Sequence, residues 1–258
     1  MIEHPFTIIH IPHSSIEIPA DLLPDYLISR EELDFELLRM TDRYTDELFD
    51  VRTSKAVTVR FPVSRLVVDP ERFSDDSQEI MAHRGMGAVY TRSSDLNTLR
   101  VVDEGKRQQL LERYYHPYHR RLNALTDKCL QESGKCLIID GHSFPSVPLP
   151  YELDQSLDRP GICIGTDPFH TPDWLKEFVA KIFRENGFSV ALNHPFPGAL
   201  VPSDFYLHDE RVVSIMIEIR RDLYVDEPTG SRLDTFQFTQ DVLRSIIMNI
   251  ITRAGVAQ

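Results

Sequence analysis

The 258-residue sequence is poor in cysteine, lysine and tryptophan and has no long apolar run, and each shortage excludes something. Its 3 cysteines, Cys129, Cys136 and Cys163, are odd in number and include no CxxC. Cys136 in CLIID and Cys163 in GICIG read as buried free thiols, which points to a reducing, cytoplasmic compartment. No stretch approaches the ~18 apolar residues of a membrane-spanning helix. The opening MIEHPFTIIHIPHSS lacks the basic leader and long apolar stretch of a secretory signal. Only 6 of the 28 basic residues are lysine, the formal net charge is −12 and there is no basic run, which argues against a nucleic-acid partner. The arginine bias suits bidentate recognition of carboxylates. Also missing are HExxH, HxxE, a GxSxG turn and a glycine-rich phosphate loop, so a serine nucleophile and a nucleotide site are not expected.

What is present suffices for one sizeable core, with 41% hydrophobic and 26% charged residues. No repeat, low-complexity tract or charged linker interrupts the chain, so residues 1–258 read as one domain. Residues 6–11 predict a buried strand stopped by Pro12. Residues 31–49 have helical spacing behind Ser29 as N-cap, with Leu33, Leu37, Met40, Tyr44 and Leu48 on one face. Strands are expected at 56–61 and 66–68, and a long helix at 104–132 that Pro117 kinks and Gly134 ends. The strand 136–139, helix 173–185, strands 188–192 and 212–219, and helix 235–252 follow. Such alternation predicts an α/β fold: a mixed, mostly parallel sheet with helices on both faces.

Polar residues at strand ends carry the chemical signal. His13 follows the first strand, and His142 is expected in the loop after LIID, so both belong at the carboxyl ends where open α/β sheets bind ligands. A catalytic zinc takes three protein ligands and an open position. Two histidines therefore ask for one carboxylate. Asp42 and Asp46 offer it from one helix face at i,i+4 spacing, Glu17 is a further substitute, and Asp140 could instead orient an imidazole. Glu218 is anomalous in the apolar strand VVSIMIEIRR: it is either a carboxylate tuned for general-base work or half of an ion pair with Arg220 or Arg221. Arg60, Arg65, Arg72, Arg84 and Arg92 crowd one stretch, and the loop Asn193-His194-Pro195 with Gly198 follows another strand.

Eight segments together resemble the N-formylglutamate amidohydrolase family: IPHSS, TDRYTDELFD, SRLVVDPERF, GMGAVYTR, YYHPYHRRL, LIIDGHS, LNHPFPG and SIMIEIRRDLY. They stand in family order over nearly the whole chain. The resemblance implies a phosphorylase/hydrolase-like fold akin to zinc carboxypeptidases. It also implies zinc, one ion per chain, and hydrolysis of the amide of an acidic N-acyl amino acid, as in histidine degradation. His13, Asp42 and His142 match the family's metal ligands and Glu218 its catalytic glutamate. Arg65, Arg72 and His119 match substrate-side positions, and Asn193 and Arg220 are taken with them. Two positions depart from the family pattern. Asp69-Pro70-Glu71-Arg72 stands where D-L-N-R is usual, and Gly161 where aspartate is common. An added Glu71 carboxylate pointing into the pocket would oppose a dianionic substrate. The alternative functions are amide hydrolysis on another N-acyl amino acid or peptide-like substrate, and a non-catalytic anion-binding module. Oligomeric state is not legible.

Overall fold

The computed structural model describes residues 6–256; residues 1–5 and 257–258, which belong to the expected domain and to the opening segment, lie outside the described residues. The short apolar runs become β1 (Thr7–Ile11), β2 (Ala56–Arg60), β3 (Cys136–Phe144), β4 (Ile162–Gly165), β5 (Val190–Leu192) and β6 (Val212–Arg220). They form one six-stranded sheet in the order β2-β1-β3-β6-β4-β5. Pairing is parallel throughout except between β6 and β4. The mixed, mostly parallel sheet expected from the sequence is therefore present, and the carboxyl ends of β1, β3 and β6 lie side by side.

The helices are α1 (Arg30–Met40), α2 (Thr45–Leu48), α3 (Glu104–Leu110), α4 (His116–Ser133), α5 (Asp173–Glu185) and α6 (Phe236–Val256). Strand alternation divides their docking. Ile9, Ile139, Ile215 and Ile217 pack into one core with Val179 of α5 and Ile247 of α6, while Ile8, Ile138 and Val212 meet Leu110 of α3 and Leu122 of α4 on the other face. The alternation continues past the apolar residues. His10, Asp140, His142 and Glu218 therefore share the face that carries α4. Among the described residues, no helix is long and apolar enough to cross a membrane.

Several expected elements are corrected. The helix expected over 31–49 is two: Ser29 caps α1 with a reciprocal bond to Glu32, but Thr41 is extended and Tyr44 is left-handed at φ 63°, so α2 starts afresh. Asp42 sits in that break, and it shares no helix face with Asp46. Residues 66–68 are a buried loop, whose carbonyls at Leu66 and Val67 accept from Tyr26 and Arg100 rather than from a strand. Pro117 does not break the long helix: the turn Leu111–Tyr115 widens to π-helical bonding just before it, which accommodates the missing donor. β3 extends through residue 144, so His142 is a strand residue and not a loop residue. The extra length gives His142 a fixed neighbour, Glu218 of β6.

β4 ends at Gly165, where an added Cβ would collide with the Gly198 carbonyl and the Met216 side chain. The methyl of Met216 can move, but the carbonyl belongs to the loop whose Leu200 N–H donates to Asp140 (3.3 Å). We expect Gly165→Ala to cost about 1–3 kcal/mol, as overpacking typically does, read as a lower urea midpoint. An unchanged midpoint would show that this loop is free to shift.

Candidate metal centre

The break between α1 and α2 turns Asp42 inward, and its N–H donates to the carbonyl of His13 (3.0 Å). His13, Asp42 and His142 are 2%, 1% and 3% exposed, so their polar atoms must find partners within the protein. Each imidazole uses its Nε2 for a carboxylate. His13 Nε2 donates to Asp69 (2.8 Å), and His142 Nε2 lies 3.0 Å from Asp140 and 3.1 Å from Glu71. Since a carboxylate accepts, these nitrogens carry the hydrogens, and in the neutral rings both Nδ1 atoms present lone pairs.

The two Nδ1 atoms are 3.3 Å apart, and Asp42 Oδ2 lies 3.3 Å from that of His142 and 3.6 Å from that of His13. Ligands on a tetrahedral zinc, with bonds of ~2.0–2.1 Å, stand about 3.3–3.4 Å from each other. The three donors thus form the face of a tetrahedron of the right size.

Among the described residues, His13–Glu71–His142 and His10–Glu71–Asp140 also place one donor each within 4.8 Å. Asp42 has the better geometry for a third donor. It faces the free Nδ1 lone pairs, whereas Glu71 faces the Nε2–H of His142. In the second set, the 2.7 Å contact from His10 Nδ1 to Asp140 is a hydrogen bond, too short for two ligands of one ion.

The electrostatics fit a cation at the triad. Burial would lower His142, but Asp140, Glu71 and Asp42 outweigh it and raise the ring well above the usual histidine range. The surround therefore asks for positive charge at this ring, supplied by a proton or by a metal. Burial would raise Asp42, but the adjacent His13 and His142 rings and the charge of Arg221 hold it far below the usual carboxylate range. Burial pushes the Glu218 carboxyl the other way, up to about 8, with His142 partly opposing and Asp42 adding to the rise. Its Oε2 is buried and has no hydrogen-bond partner.

The structure gathers most of the expected residues but not all. Arg65 donates to Tyr90 (3.1 Å) and Asp69 (2.7 Å), and Arg72 lies 3.8 Å from Asp69 and 3.7 Å from Glu79. The Nε of Arg72 is buried without a hydrogen-bond partner. The His119 ring packs at a tilt against Tyr115, 4.1 Å between centroids, and its Nε2 donates to the Pro70 carbonyl (2.9 Å), so it supports the turn beside the centre.

Asn193 and Arg220 are not brought in. Asn193 is occupied with Thr166 at 2.9 and 2.8 Å, and Arg220 reaches Asp222 and the Arg159 carbonyl. Asp46 pairs with Arg60 (3.1 Å), and Glu17 lies on the loop after His13, its carbonyl accepting from Ser64.

Sequence reasoning offered Arg221 only as a partner of Glu218, whereas it donates to Asp42 (2.9 Å), and it passed over His10, which donates to Asp140. A signal for the acidic partners was present. Asp69 closes the apolar run LVVD as Asp140 closes LIID, the pattern that singled out the strand-end histidines.

Fold and centre together define an α/β protein with a tetrahedral-type triad beside a buried, unpaired carboxylate. The chain belongs to the N-formylglutamate amidohydrolase family, whose model matches residues 6–225. It is 26% identical over 220 residues to the N-formylglutamate deformylase of Pseudomonas aeruginosa, covering 82% of this chain and 81% of that one. The crystal structure of N-formylglutamate amidohydrolase from Ralstonia eutropha superposes with a TM-score of 0.82 at 25% identity, covering 98% of this chain and 95% of that one. A gene product of Agrobacterium tumefaciens shares the fold, with a TM-score of 0.68 at 21% identity over 95% of this chain and 92% of that one.

Burial holds His119 down at about 4, against an ordinary 6.5, despite its bond to Pro70. Between those two values the unfolded chain binds the extra proton and the folded one does not. Stability from this residue is therefore complete above pH ~6.5 and is lost as pH falls toward ~4. The urea midpoint should drop over that window, and drop less in His119→Gln. Parallel pH profiles for the two proteins would contradict it.

Proposed function

We infer that this chain is a zinc-dependent amidohydrolase, holding one zinc at His13, Asp42 and His142, that converts N-formyl-L-glutamate and water to formate and L-glutamate. Residues 1–258 act as one catalytic domain on a zinc carboxypeptidase-like fold. The observation that carries this reading is the triad of correctly spaced donors next to Glu218, whose buried oxygen has no partner. The names of two relatives supply the substrate.

Zinc, when bound, supplies a Lewis acid for the formyl carbonyl and lowers the pKa of water toward ~7. The protein does the remainder. Glu218, lifted by burial, takes the attacking water's proton and delivers it to the departing amine nitrogen, so that the C–N bond breaks with a neutral leaving group. Arg72 receives a substrate carboxylate: its guanidinium makes only long ion pairs and keeps a buried donor unspent. Arg65 is already pledged to Asp69 and Tyr90, and it holds the Asp69 turn in place. Burial of His13, Asp42, His142 and Glu218 strengthens the charge interactions among them. Binding of an anion alone would not require a protonatable carboxylate next to the triad, which favours catalysis over the non-catalytic module.

Glu218→Gln keeps the shape and most of the hydrogen bonding of the side chain but cannot accept the proton. Its kcat on N-formyl-L-glutamate should fall ~10²–10⁴-fold while zinc content and fold persist. Near-parental kcat would move the base elsewhere. For substrate class, Arg72→Lys retains charge and loses the planar fork. We expect a raised KM for the dicarboxylate and little change for a neutral N-acyl amino acid. Equal effects on both would make Arg72 structural and favour a different N-acyl substrate.

A further inference from the structure

The two histidines of the triad are backed by one short turn. In Asp69-Pro70-Glu71-Arg72, Asp69 accepts from His13 Nε2 (2.8 Å), and a Glu71 carboxylate oxygen lies 3.1 Å from His142 Nε2, whose hydrogen bond goes to Asp140 (3.0 Å). The turn is pinned from three sides. Glu71 N–H donates to Asp69 Oδ1 (3.0 Å), His119 to the Pro70 carbonyl (2.9 Å) and Tyr115 OH to the Arg72 carbonyl (2.9 Å). The position of Glu71 is thus set by backbone and by α4, independently of its own carboxylate.

The charges behind the two histidines are handled differently. The Asp69 charge is shared out to Arg65 (2.7 Å) and Tyr90 (2.5 Å), so little of it remains for His13. Behind His142 stand two carboxylates, Asp140 and Glu71, and among the described residues their ion pairs are with histidines only. His10, fully buried, lies between them, 2.7 Å from Asp140 and 3.3 Å from Glu71. The four groups close a ring in which two carboxylates face two imidazole N–H donors, with no arginine or lysine to offset the charge. An imidazole whose N–H is held by carboxylates is a more basic ligand with a fixed ring orientation.

We propose that Glu71 is a positioning residue that works with Asp140 and His10 to fix the His142 ring and strengthen its Nδ1 as a zinc ligand. The inference rests on the triad assignment above. It makes zinc affinity, rather than substrate recognition, the property that Glu71 controls. Glu71→Gln removes the charge and keeps an acceptor of nearly the same shape. Glu71→Asp keeps the charge and withdraws it by one carbon.

The test is zinc affinity by competition with a chromogenic chelator, together with the thermal midpoint of the metal-free protein. Loss of a carboxylate behind a ligating histidine should weaken zinc ~10–100-fold in Glu71→Gln, with Glu71→Asp falling between it and the parent. The metal-free midpoint should fall only modestly, since His119, Tyr115 and the Asp69 side chain still pin the turn. If both variants bind zinc as tightly as the parent, or lose midpoint with affinity intact, Glu71 is merely structural and the proposal fails. His142→Ala separates the two levels. Zinc lost there but fully retained in Glu71→Gln overturns the role of Glu71 alone, while zinc retained in His142→Ala overturns the triad and the role together.

Discussion

Two imidazole nitrogens facing each other across 3.3 Å, each ring tied at its far nitrogen to a carboxylate, are the arrangement on which the rest of the structure depends. Asp42, Asp69 and Asp140 lie within this site at 1% exposure or less, and Glu218 at 8%. Buried carboxylates are tolerated only if paired and hydrogen-bonded. Much of the local architecture answers that demand. The register of β1 on β3 sets His10 beside Asp140, and that of β3 on β6 sets His142 beside Glu218. The end of α1 places Asp42 where Arg221, just beyond β6, can neutralise one oxygen and leave the other for the triad.

The carboxylates receive different treatment, and the differences divide the work. Asp69 accepts from His13, Arg65, Tyr90 and the Glu71 backbone, so it is saturated and serves to hold. Asp42 splits its oxygens between a cation already present, Arg221, and the place where another is called for. Glu218 keeps one oxygen without any partner, and burial leaves its proton loosely decided near neutrality. A saturated carboxylate is a poor base and an unsatisfied one a poor structural element. The contrast points to Glu218 for proton transfer without appeal to its position in the sequence.

Much of this was legible in the residues. The apolar runs ending in polar residues located β1, β3 and β6 and the two histidines, because burial on both faces of a parallel sheet leaves a simple signature. Glu218 stood out for the same reason. What periodicity could not show was Asp42. Leu37, Met40, Tyr44 and Leu48 keep helical spacing through the break, yet Tyr44 turns left-handed and its helix starts again. The spacing survives because each piece packs its own apolar face, and it says nothing about backbone continuity between them. The strand end at His142 was misplaced because Gly141, His142 and Ser143 are polar or small. They remain in the sheet because β6 extends equally far beside them. Arg220 and Arg221 are indistinguishable by composition. Only the turn after β6 sends the second inward to Asp42 and the first outward to Asp222.

The departure at Glu71 directs its added charge at an imidazole. From sequence alone, an extra carboxylate two residues after Asp69 would oppose a dianionic substrate. In the structure it points to Nε2 of His142, on the side of the ring away from the Nδ1 that faces Asp42. The two nitrogens of an imidazole diverge, so whatever meets Glu71 lies behind the ligand and not in front of it. The next residue, Arg72, keeps its unsatisfied donor. The same turn can therefore carry added negative charge behind the proposed metal ligand and, on the next residue, an arginine with an unspent donor, because consecutive side chains leave it in different directions.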